Sequence, residues 1–297
     1  MPRSALPAAV AACGSVSKSD SPPPRRGLIE TTMKKTLVTA LLALTAALTA
    51  GAQSRTEVYT FPSEVLGAEK SCTVYLPDGY DRDTTRRYPV LYLLHGASGY
   101  HGDWVEKGNM YQIAEEAIAA GRALPMVVVM PDASGTGPHY MGDHMGYFDV
   151  PGWAYERFFF EEFLPAVEQR YRIRGDKRHR AIAGLSMGGG GTAVYALRHP
   201  ELFSSACPMS ALLESHGDPE ENAFRRSVEE NSPVKLVRNL SDEEAAAQRT
   251  VRWWVDCGDD DFLALGNIHF FEAMREKGIP LQYRMRDGGH TWRYWQT

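Results

Sequence analysis

A serine framed by glycines is the side chain of this sequence best suited to act as a nucleophile. Residues 184–188 read Gly-Leu-Ser-Met-Gly, with Ser186 at the centre. An apolar, strand-like run precedes them and a Gly- and Ala-rich helical segment follows. A sharp turn between two such elements lifts a serine hydroxyl out of a sheet. The pattern therefore predicts a reactive hydroxyl rather than an ordinary serine at the start of a Gly-rich helix.

A serine nucleophile needs a base, and the base needs a carboxylate that orients it. After a strand–turn–helix serine, the acid and then the histidine follow in chain order, each after a strand. His290 follows two glycines just past the last strand-like run, so its loop can turn the imidazole toward the serine. Asp259, Asp260 and Asp261 all follow the strand-like run 251–256, and spacing alone does not choose among them.

Attack on a carbonyl also needs two backbone N–H groups that stabilise the negative oxygen. Met187 directly follows the serine and supplies the first N–H group. Ala97 lies in the loop after the strand-like run 90–94, and we expect it to supply the second. His95 in the same loop is better explained as a structural hydrogen-bonding residue than as a proton carrier.

The elements that must position these residues alternate between strands and helices. Continuous apolar runs, as at 90–94 and 126–130, are typical of strands buried on both faces of a parallel sheet. The alternation predicts an α/β fold with a mostly parallel sheet, and the polar helical stretch 212–248 looks like a small insertion. The predicted strands are 57–61, 71–76, 90–94, 126–130, 180–183, 204–209, 251–256 and 281–285. The predicted helices are 155–171, 186–197, 241–249 and 267–277.

The N-terminal region has the pattern of an export signal. Met33 is followed by two lysines, an apolar run at 37–48 and an Ala-Gly-Ala exit at 50–52, which together make a secretory signal peptide. We expect residues 1–32 to be an upstream mis-start without ordered structure, 33–52 to be the signal, and 53–297 to be one catalytic domain. This predicts a periplasmic or extracellular protein. A lipid anchor on Cys13 is the disfavoured alternative, because its apolar stretch is very short.

The composition excludes other classes of protein. The formal net charge of -5 and the pI near 6.0 leave no basic surplus for binding nucleic acid. Four cysteines in 297 residues do not make a disulfide scaffold. Cys72, Cys207 and Cys257 lie in apolar strand-like runs, which favours buried free thiols. A Cys207–Cys257 bridge is the alternative in an oxidising compartment.

Several histidines and aspartates raise the question of a metal site. They are His101, Asp103, His139, Asp143 and His144, and their spacing matches no closed set of metal ligands. Hydrogen bonding within loops is the favoured interpretation. The chemistry expected of Ser186 requires no metal and no other cofactor.

Taken together, these motifs resemble a known family. Their order is similar to that of the esterase D-type α/β hydrolases, and most similar to the exported feruloyl and acetyl-xylan esterases of carbohydrate esterase family 1, of the Bacteroidetes type. The resemblance implies an α/β-hydrolase fold with helices on both faces of the sheet. It also implies hydrolysis of ester decorations on plant polysaccharides through Ser186, His290 and Asp261, and it favours Asp261 over Asp260. The motifs lie at 91–96, 103–104, 130–132, 184–189, 257–261 and 288–292.

Two departures from the family's pattern concern the end of the chain and one long loop. The family carries a last helix after the histidine motif, whereas this chain has only seven residues after His290, so we expect that helix to be missing. Residues 134–153 are long and rich in glycine, aromatic residues and histidine, and we expect them to shape the substrate pocket. The side chains expected to contact substrate are Trp104, Tyr140, Trp153 and Trp292.

The expected partner is a small-molecule or polysaccharide ester, with no nucleic acid and no membrane span once the signal is removed. The oligomeric state is not predicted. Three rival functions stay open. An acyltransferase of the mycolyltransferase type would use the same serine and exclude water. A thioesterase similar to S-formylglutathione hydrolase would share the three residues, but the signal peptide disfavours it. A glycan-binding protein without activity would be expected to lack one of the three.

Overall fold

The computed structural model describes residues 53–135, 146–215 and 217–296. These residues all lie in the second of the two units into which the chain divides, Gly51–Thr297. The predictions made for residues 1–52 and for Tyr140 lie outside the described residues.

An eight-stranded sheet forms the centre of this unit, in the order β1-β2-β4-β3-β7-β8-β9-β10. Strand β2 runs antiparallel to both of its neighbours, β1 and β4, and the pairs from β4 to β10 are parallel. A separate hairpin is formed by β5 and β6. The strands are β1 Arg55–Ser63, β2 Ala68–Leu76, β3 Val90–Leu94, β4 Val127–Pro131, β5 Asp149–Val150, β6 Trp153–Ala154, β7 Arg180–Leu185, β8 Ser205–Met209, β9 Arg252–Gly258 and β10 Leu281–Arg286.

The central strands are buried on both faces, as their continuous apolar runs predict. In β3, Tyr92 and Leu94 belong to one hydrophobic cluster, whereas Leu91 and Leu93 pack into another. Successive side chains of a strand point to opposite faces, so the two clusters lie on the two sides of the sheet. The predicted α/β fold with a mostly parallel sheet is confirmed.

Ten α-helices connect the strands within the described residues. Three of them, α6 to α8, form the insertion predicted between β8 and β9, and Ser241 opens α8 with a capping box that it shares with Glu244. None of the helices in the described ranges is long and apolar enough to cross a membrane. The helices are α1 Asp103–Glu106, α2 Met110–Ala119, α3 Tyr155–Phe158, α4 Leu164–Arg170, α5 Met187–Arg198, α6 Ala223–Glu230, α7 Pro233–Asn239, α8 Asp242–Gln248, α9 Ala264–Glu276 and α10 Trp292–Trp295.

The long helix predicted at 155–171 is interrupted by a π-helical turn, Phe159–Phe163, between α3 and α4. In an α-helix, side chains four residues apart drift by about 40° per step around the axis. The wider turn of a π-helix offsets part of this drift. It thereby keeps one stripe buried throughout, which consists of Tyr155, Phe159, Phe163, Val167 and Tyr171.

The three cysteines of the described residues are free thiols. The alternative of a Cys207–Cys257 bridge is contradicted by the register of β8 and β9. Ala206 pairs with Trp253 and Met209 with Asp256, so Cys257 lies three positions beyond the partner of Cys207. Three residues of strand span about 10 Å, which exceeds the Cα separation of about 7 Å that a disulfide tolerates.

A buried ion pair joins the first residue of β7 to α4. The Arg180 guanidinium donates to both carboxylate oxygens of Glu168, at 2.8 and 2.9 Å. It also donates to the backbone oxygens of Leu202, at 2.9 Å, and Gly175, at 2.6 Å. The side chains of Arg180 and Glu168 are only 4% and 15% exposed. The Arg180 guanidinium therefore holds the start of β7, the strand that directly precedes Ser186.

Replacing Arg180 with methionine should lower the free energy of unfolding by about 3–5 kcal/mol, because the Glu168 carboxylate would be left buried without a partner. Urea denaturation followed by circular dichroism measures this loss. The matched control is Arg157→Met, which removes an exposed pair with Glu161 whose side chains are 53% and 63% exposed. The control should cost at most about 1 kcal/mol. Equal losses in the two variants would contradict the role assigned to Arg180.

Candidate active site

Ser186 occupies the tight turn that the sequence predicts between a strand and a helix. It directly follows β7 and caps α5, with φ 56° and ψ -120°. Its N–H donates to the backbone oxygen of Met209 at 3.0 Å, and its own backbone oxygen accepts from Leu212 at 2.9 Å. A non-glycine residue with positive φ is strained and persists only where its surroundings fix it. These contacts with the end of β8 fix the turn.

Gly184 and Gly188 leave the space that this turn requires. A Cβ on Gly184 would lie 2.4 Å from the backbone oxygen of Gly188, and a Cβ on Gly188 would lie 2.5 Å from the backbone oxygen of His95. No real side chain tolerates such distances. Both glycines are therefore dictated by the packing of α5 against the ends of β3 and β7.

Three predicted residues meet in one line of hydrogen bonds. The Nε2 atom of His290 lies 3.0 Å from the Oγ atom of Ser186. Its Nδ1 atom lies 2.9 and 3.0 Å from the two carboxylate oxygens of Asp261. A proton on Nδ1 is held by the carboxylate, which leaves Nε2 free to accept the serine proton. The arrangement can activate the hydroxyl.

The structure also distinguishes among the three adjacent aspartates. Asp261 is buried, whereas Asp259 and Asp260 are exposed. Burial favours a raised pKa for Asp261, but the hydrogen bonds from His290 and from the Leu263 N–H oppose it, and the pKa lies below its ordinary value. The carboxylate is thus kept charged beside the imidazole.

The loop of His290 is tied to the loop of the aspartates. The N–H of Asp260 donates to the backbone oxygen of Gly288 at 3.1 Å. The N–H of Gly288 donates in turn to the Asp259 carboxylate at 3.0 Å. Asp259 therefore holds the loop together instead of contacting the imidazole.

A clamp made of Asp256, Arg286 and Tyr294 joins β9, β10 and α10 near this loop. Asp256 lies within β9, as predicted, and is 8% exposed. Its carboxylate accepts from the Arg286 guanidinium at 2.9 Å and from the Tyr294 hydroxyl at 2.7 Å. The Arg286 guanidinium also lies 4.3 Å above the Tyr294 ring. The clamp fixes the chain on both sides of His290.

The two backbone N–H groups expected to hold a negative oxygen lie beside the serine. Met187 is the first residue of α5, where a helix leaves its N–H groups without partners in the helix. Gly96 packs on the serine turn, where a Cβ on Gly96 would lie 3.4 Å from the Cβ of Ser186. Ala97 follows Gly96 and is exposed, and its N–H has no hydrogen-bond acceptor within the described part of the chain.

His95 is fully buried beneath this loop and serves to hold it. Its Nε2 atom accepts the Ala133 N–H at 2.9 Å, which leaves the proton on Nδ1 to be donated to the Gly96 backbone oxygen at 2.8 Å. Burial lowers the pKa of His95, so the ring stays neutral and keeps both bonds. The predicted structural role agrees with these contacts.

The side chains expected to contact substrate are placed differently from one another. Trp104 and Trp153 are 5% and 4% exposed, so they belong to the packed interior and offer little surface to a ligand. The Trp104 indole donates to the Leu94 backbone oxygen at 3.0 Å and packs edge-on against Trp292. The predicted contact of Trp104 and Trp153 with substrate is therefore corrected: both side chains pack in the interior and support the surrounding structure. Trp292 is half-buried and stays a candidate, and Tyr140 lies outside the described residues.

Two aromatic side chains beside His290 escaped the sequence analysis. The Phe262 ring is 69% exposed and lies 4.6 Å from the imidazole, measured between ring centroids. The Trp295 ring also packs edge-on against the imidazole, at 4.8 Å between ring centroids. The available signal for Phe262 was its position directly after Asp261. Trp295 gave no signal, because its contact depends on how the last helix folds back.

The residues considered for a metal site are scattered or undescribed. His101 hydrogen bonds to the Thr73 hydroxyl at 2.7 Å, and Asp103 accepts from Lys107 at 2.9 Å. The other three, His139, Asp143 and His144, lie outside the described residues.

Comparisons with known proteins agree on one family. A family model described as "Putative esterase" matches residues 63–297. A solved structure named ferulic acid esterase is 44% identical with a TM-score of 0.78, over 83% of this chain and 95% of that chain. The endo-1,4-beta-xylanase/feruloyl esterase of Xylanibacter ruminicola is 37% identical over 147 residues, which make up 48% of this chain and only 20% of that enzyme. The acetyl esterase of Caldicellulosiruptor saccharolyticus is 27% identical over 227 residues, or 69% of this chain and 78% of that enzyme.

The geometry predicts that a fluorophosphonate reagent attaches to Ser186, because His290 can accept the hydroxyl proton as the Oγ–P bond forms, the P–F bond breaks and fluoride leaves. Intact-mass spectrometry and peptide mapping measure the site. Ser186→Ala should stay unmodified, and His290→Gln should react far more slowly. Ser210, a buried serine nearby, should stay unmodified in every case. Modification at any residue other than Ser186 would contradict this reading of the site.

Proposed function

Because this chain belongs to the esterase family, we propose that it hydrolyses carboxylic esters with Ser186 as the nucleophile, His290 as the base and Asp261 as its orienting acid. The continuous hydrogen-bond line from Asp261 through His290 to Ser186 supports this assignment most directly. The three residues lie in loops that follow β7, β9 and β10. The carboxyl ends of parallel strands meet at one edge of a sheet, which is where α/β folds place their ligands.

The reaction follows from the geometry in two halves. The Ser186 oxygen attacks the ester carbon while its proton moves to Nε2 of His290, and the carbonyl oxygen becomes negative. The N–H groups of Met187 and Ala97 donate to that oxygen. The intermediate then collapses, His290 gives the proton to the leaving alcohol, and an acyl-serine remains. A water molecule, activated by the same imidazole, repeats the sequence and releases the acid.

We propose that the substrates are feruloyl or acetyl esters that decorate plant polysaccharides. The names of the relatives support this, since they include a ferulic acid esterase and an acetyl esterase. The exposed aromatic surface around His290 suits such a substrate. Since His290 gives its proton to the leaving alcohol, the neighbouring Phe262 ring is well placed to contact that alcohol, which would be a sugar.

Residues 33–52 are proposed to direct export of the catalytic domain to the periplasm or exterior. Polysaccharide substrates lie outside the cytoplasm, so export agrees with the proposed activity. N-terminal sequencing of protein secreted from the full-length gene should find Gln53 as the first residue. A mature chain that retains residues 33–52 would contradict the signal peptide.

Removing the nucleophile should nearly abolish activity. Ser186→Ala should lower kcat by about 10⁶-fold. Asp261→Asn should lower kcat by about 10⁴-fold, because the amide favours the wrong tautomer of His290. Rates with p-nitrophenyl acetate and methyl ferulate, together with thermal melts, measure both effects. The control Asp260→Asn should keep kcat within about threefold, since Asp260 is exposed and lies outside the hydrogen-bond line. If Asp260→Asn is the more damaging change, the acid has been assigned wrongly.

Phe262→Ala should weaken the binding of a sugar leaving group. KM should rise about fivefold for feruloyl arabinose and change little for methyl ferulate, because a lost ring contact of about 1 kcal/mol affects only the larger alcohol. Leu265→Ala is the control, since this residue is close in sequence, is about as exposed as Phe262 and has no aromatic ring. Acetylated xylan and S-formylglutathione complete the panel. Preference for S-formylglutathione over every oxygen ester would contradict the proposed substrate class.

A further inference from the structure

Asn267 is a buried asparagine near the start of α9, and none of the steps described above requires it. Its side chain is 0% exposed. Asparagine is mostly found at the protein surface, and burying an amide costs free energy unless its hydrogen bonds are made. The partners of this amide therefore indicate what it contributes.

The amide of Asn267 forms hydrogen bonds with both backbone groups of Ala211, in the loop after β8. Its Nδ2 atom donates to the Ala211 oxygen at 2.9 Å, and its Oδ1 atom accepts the Ala211 N–H at 3.3 Å. Paired residues of an antiparallel sheet exchange two hydrogen bonds in the same way. The side chain thus binds the loop as a neighbouring strand would, although it belongs to a helix.

The second proton of the same amide reaches the loop that contains the acid. Nδ2 also donates to the backbone oxygen of Leu263 at 2.9 Å. Leu263 caps α9, and its N–H donates to Oδ1 of Asp261 at 2.9 Å. An asparagine amide has two N–H donors, and Asn267 uses one on each loop. It therefore joins the loop after β8 to the loop after β9.

On the side of Ala211, the connection continues to the nucleophile through one peptide group. The Ala211 oxygen and the Leu212 N–H belong to the same planar unit, in which the usual trans form points them in opposite directions. The oxygen accepts from Asn267, and the Leu212 N–H donates to the Ser186 backbone oxygen at 2.9 Å. Asn267 thus holds one side of a rigid plane whose other side holds the Ser186 turn.

Two glycines of α5 let this peptide group pack directly on the helix behind the nucleophile. A Cβ on Gly190 would lie 2.5 Å from the Leu212 backbone oxygen, and a Cβ on Gly189 would lie 2.6 Å from the Ala211 Cβ. The loop after β8 is therefore enclosed between α5 and the amide of Asn267. A change in the amide is transmitted to the turn because the loop has little free space around it.

The pairing of β8 with β9 ends before the site begins, so the two loops need another connection. The last pair of these strands is Met209 and Asp256. Beyond it, the loop after β8 continues to Ala211 and the loop after β9 continues to Asp261. Asn267 connects the loops at a point that the sheet no longer reaches.

We propose that Asn267 is a positioning residue for the esterase reaction: its amide fixes the spacing of the two loops, so that the acid holds the imidazole at hydrogen-bonding distance from the nucleophile. The inference rests on the function proposed above. Two hydrogen-bonded paths join Asp261 to Ser186. The first is the catalytic line through His290, in which protons move during the reaction. The second contains no proton that the reaction transfers, so it can keep its length throughout. Its members are Leu263, Asn267, Ala211 and Leu212.

The first test separates the bridge between the loops from the bond within the helix. In Asn267→Ser, the hydroxyl can still donate to the Leu263 oxygen four residues earlier, as helix serines do, but it is too short to reach Ala211. We expect kcat for methyl ferulate to fall by about 10- to 100-fold, the order of effect of a misplacement of about 1 Å. KM should stay within about twofold, because the loss is felt in the transition state. An unchanged kcat would overturn the proposal.

A second variant, Asn267→Asp, keeps the size of the side chain and the acceptor for the Ala211 N–H. It loses both donated hydrogen bonds, and its charge repels the two backbone oxygens that accepted them. We expect kcat to fall at least as far as in Asn267→Ser. A folded Asn267→Asp protein with the kcat of the wild type would overturn the proposal, whether or not the serine variant folds.

Gln248→Leu is the matched control, because it also removes a buried amide that donates to a backbone oxygen. Gln248 is 1% exposed and donates to Leu197 at 2.8 Å, near the end of α5 that lies away from Ser186. Its melting temperature should fall about as far as that of Asn267→Ser, while kcat stays unchanged. Equal losses of kcat in the two variants would assign the effect to destabilisation and overturn the proposal.

A third measurement does not depend on ester hydrolysis. The proton between His290 Nδ1 and Asp261 should give a far-downfield ¹H NMR resonance, assigned through its loss in His290→Gln. Asn267→Ser should shift or broaden this resonance and slow the fluorophosphonate labelling of Ser186, whereas Gln248→Leu should change neither. An unchanged resonance in Asn267→Ser would overturn the positioning role. A wild-type protein that hydrolyses no ester, but whose resonance and labelling respond to Asn267, would overturn the proposed function and support the positioning contact.

Discussion

The rest of this structure depends on the close packing around the strained turn at Ser186. Ser186 keeps its positive φ because the end of β8 holds its backbone on both sides. The helix behind it reaches the ends of β3 and β7 only because Gly184 and Gly188 carry no side chain. The loop that contains Ala97 packs against this turn, and His290 reaches it from the loop after β10.

The sequence could predict what depends on local chemistry. Continuous apolar runs located the central strands β3, β4 and β7 to β9 to within about two residues, since strands buried on both faces have no polar alternation to confuse the pattern. The residue that orients the imidazole was harder, because Asp259, Asp260 and Asp261 have the same chemistry and the same neighbours in sequence. Only the approach of the loop around Gly288, some thirty residues away, separates a buried carboxylate from two exposed ones.

Predictions that depend on contacts between residues far apart in sequence were less accurate. Trp104 and Trp153 are aromatic residues in segments that the sequence places near the site, a pattern that suits ligand contact and equally suits packing in the interior. Their burial decides for support. Asn267 and Trp295 gave no signal at all, since an asparagine in one helix and a tryptophan in another are ordinary until the fold brings them to the site.

The clamp formed by Asp256, Arg286 and Tyr294 has a consequence for the order in which the enzyme is made. Two of the three clamp residues flank His290, which follows Ser186 by 104 residues along the chain. A nascent chain therefore contains Ser186 well before it contains His290. Under the proposed function, the hydroxyl becomes reactive only after the segment with His290 has folded against the sheet.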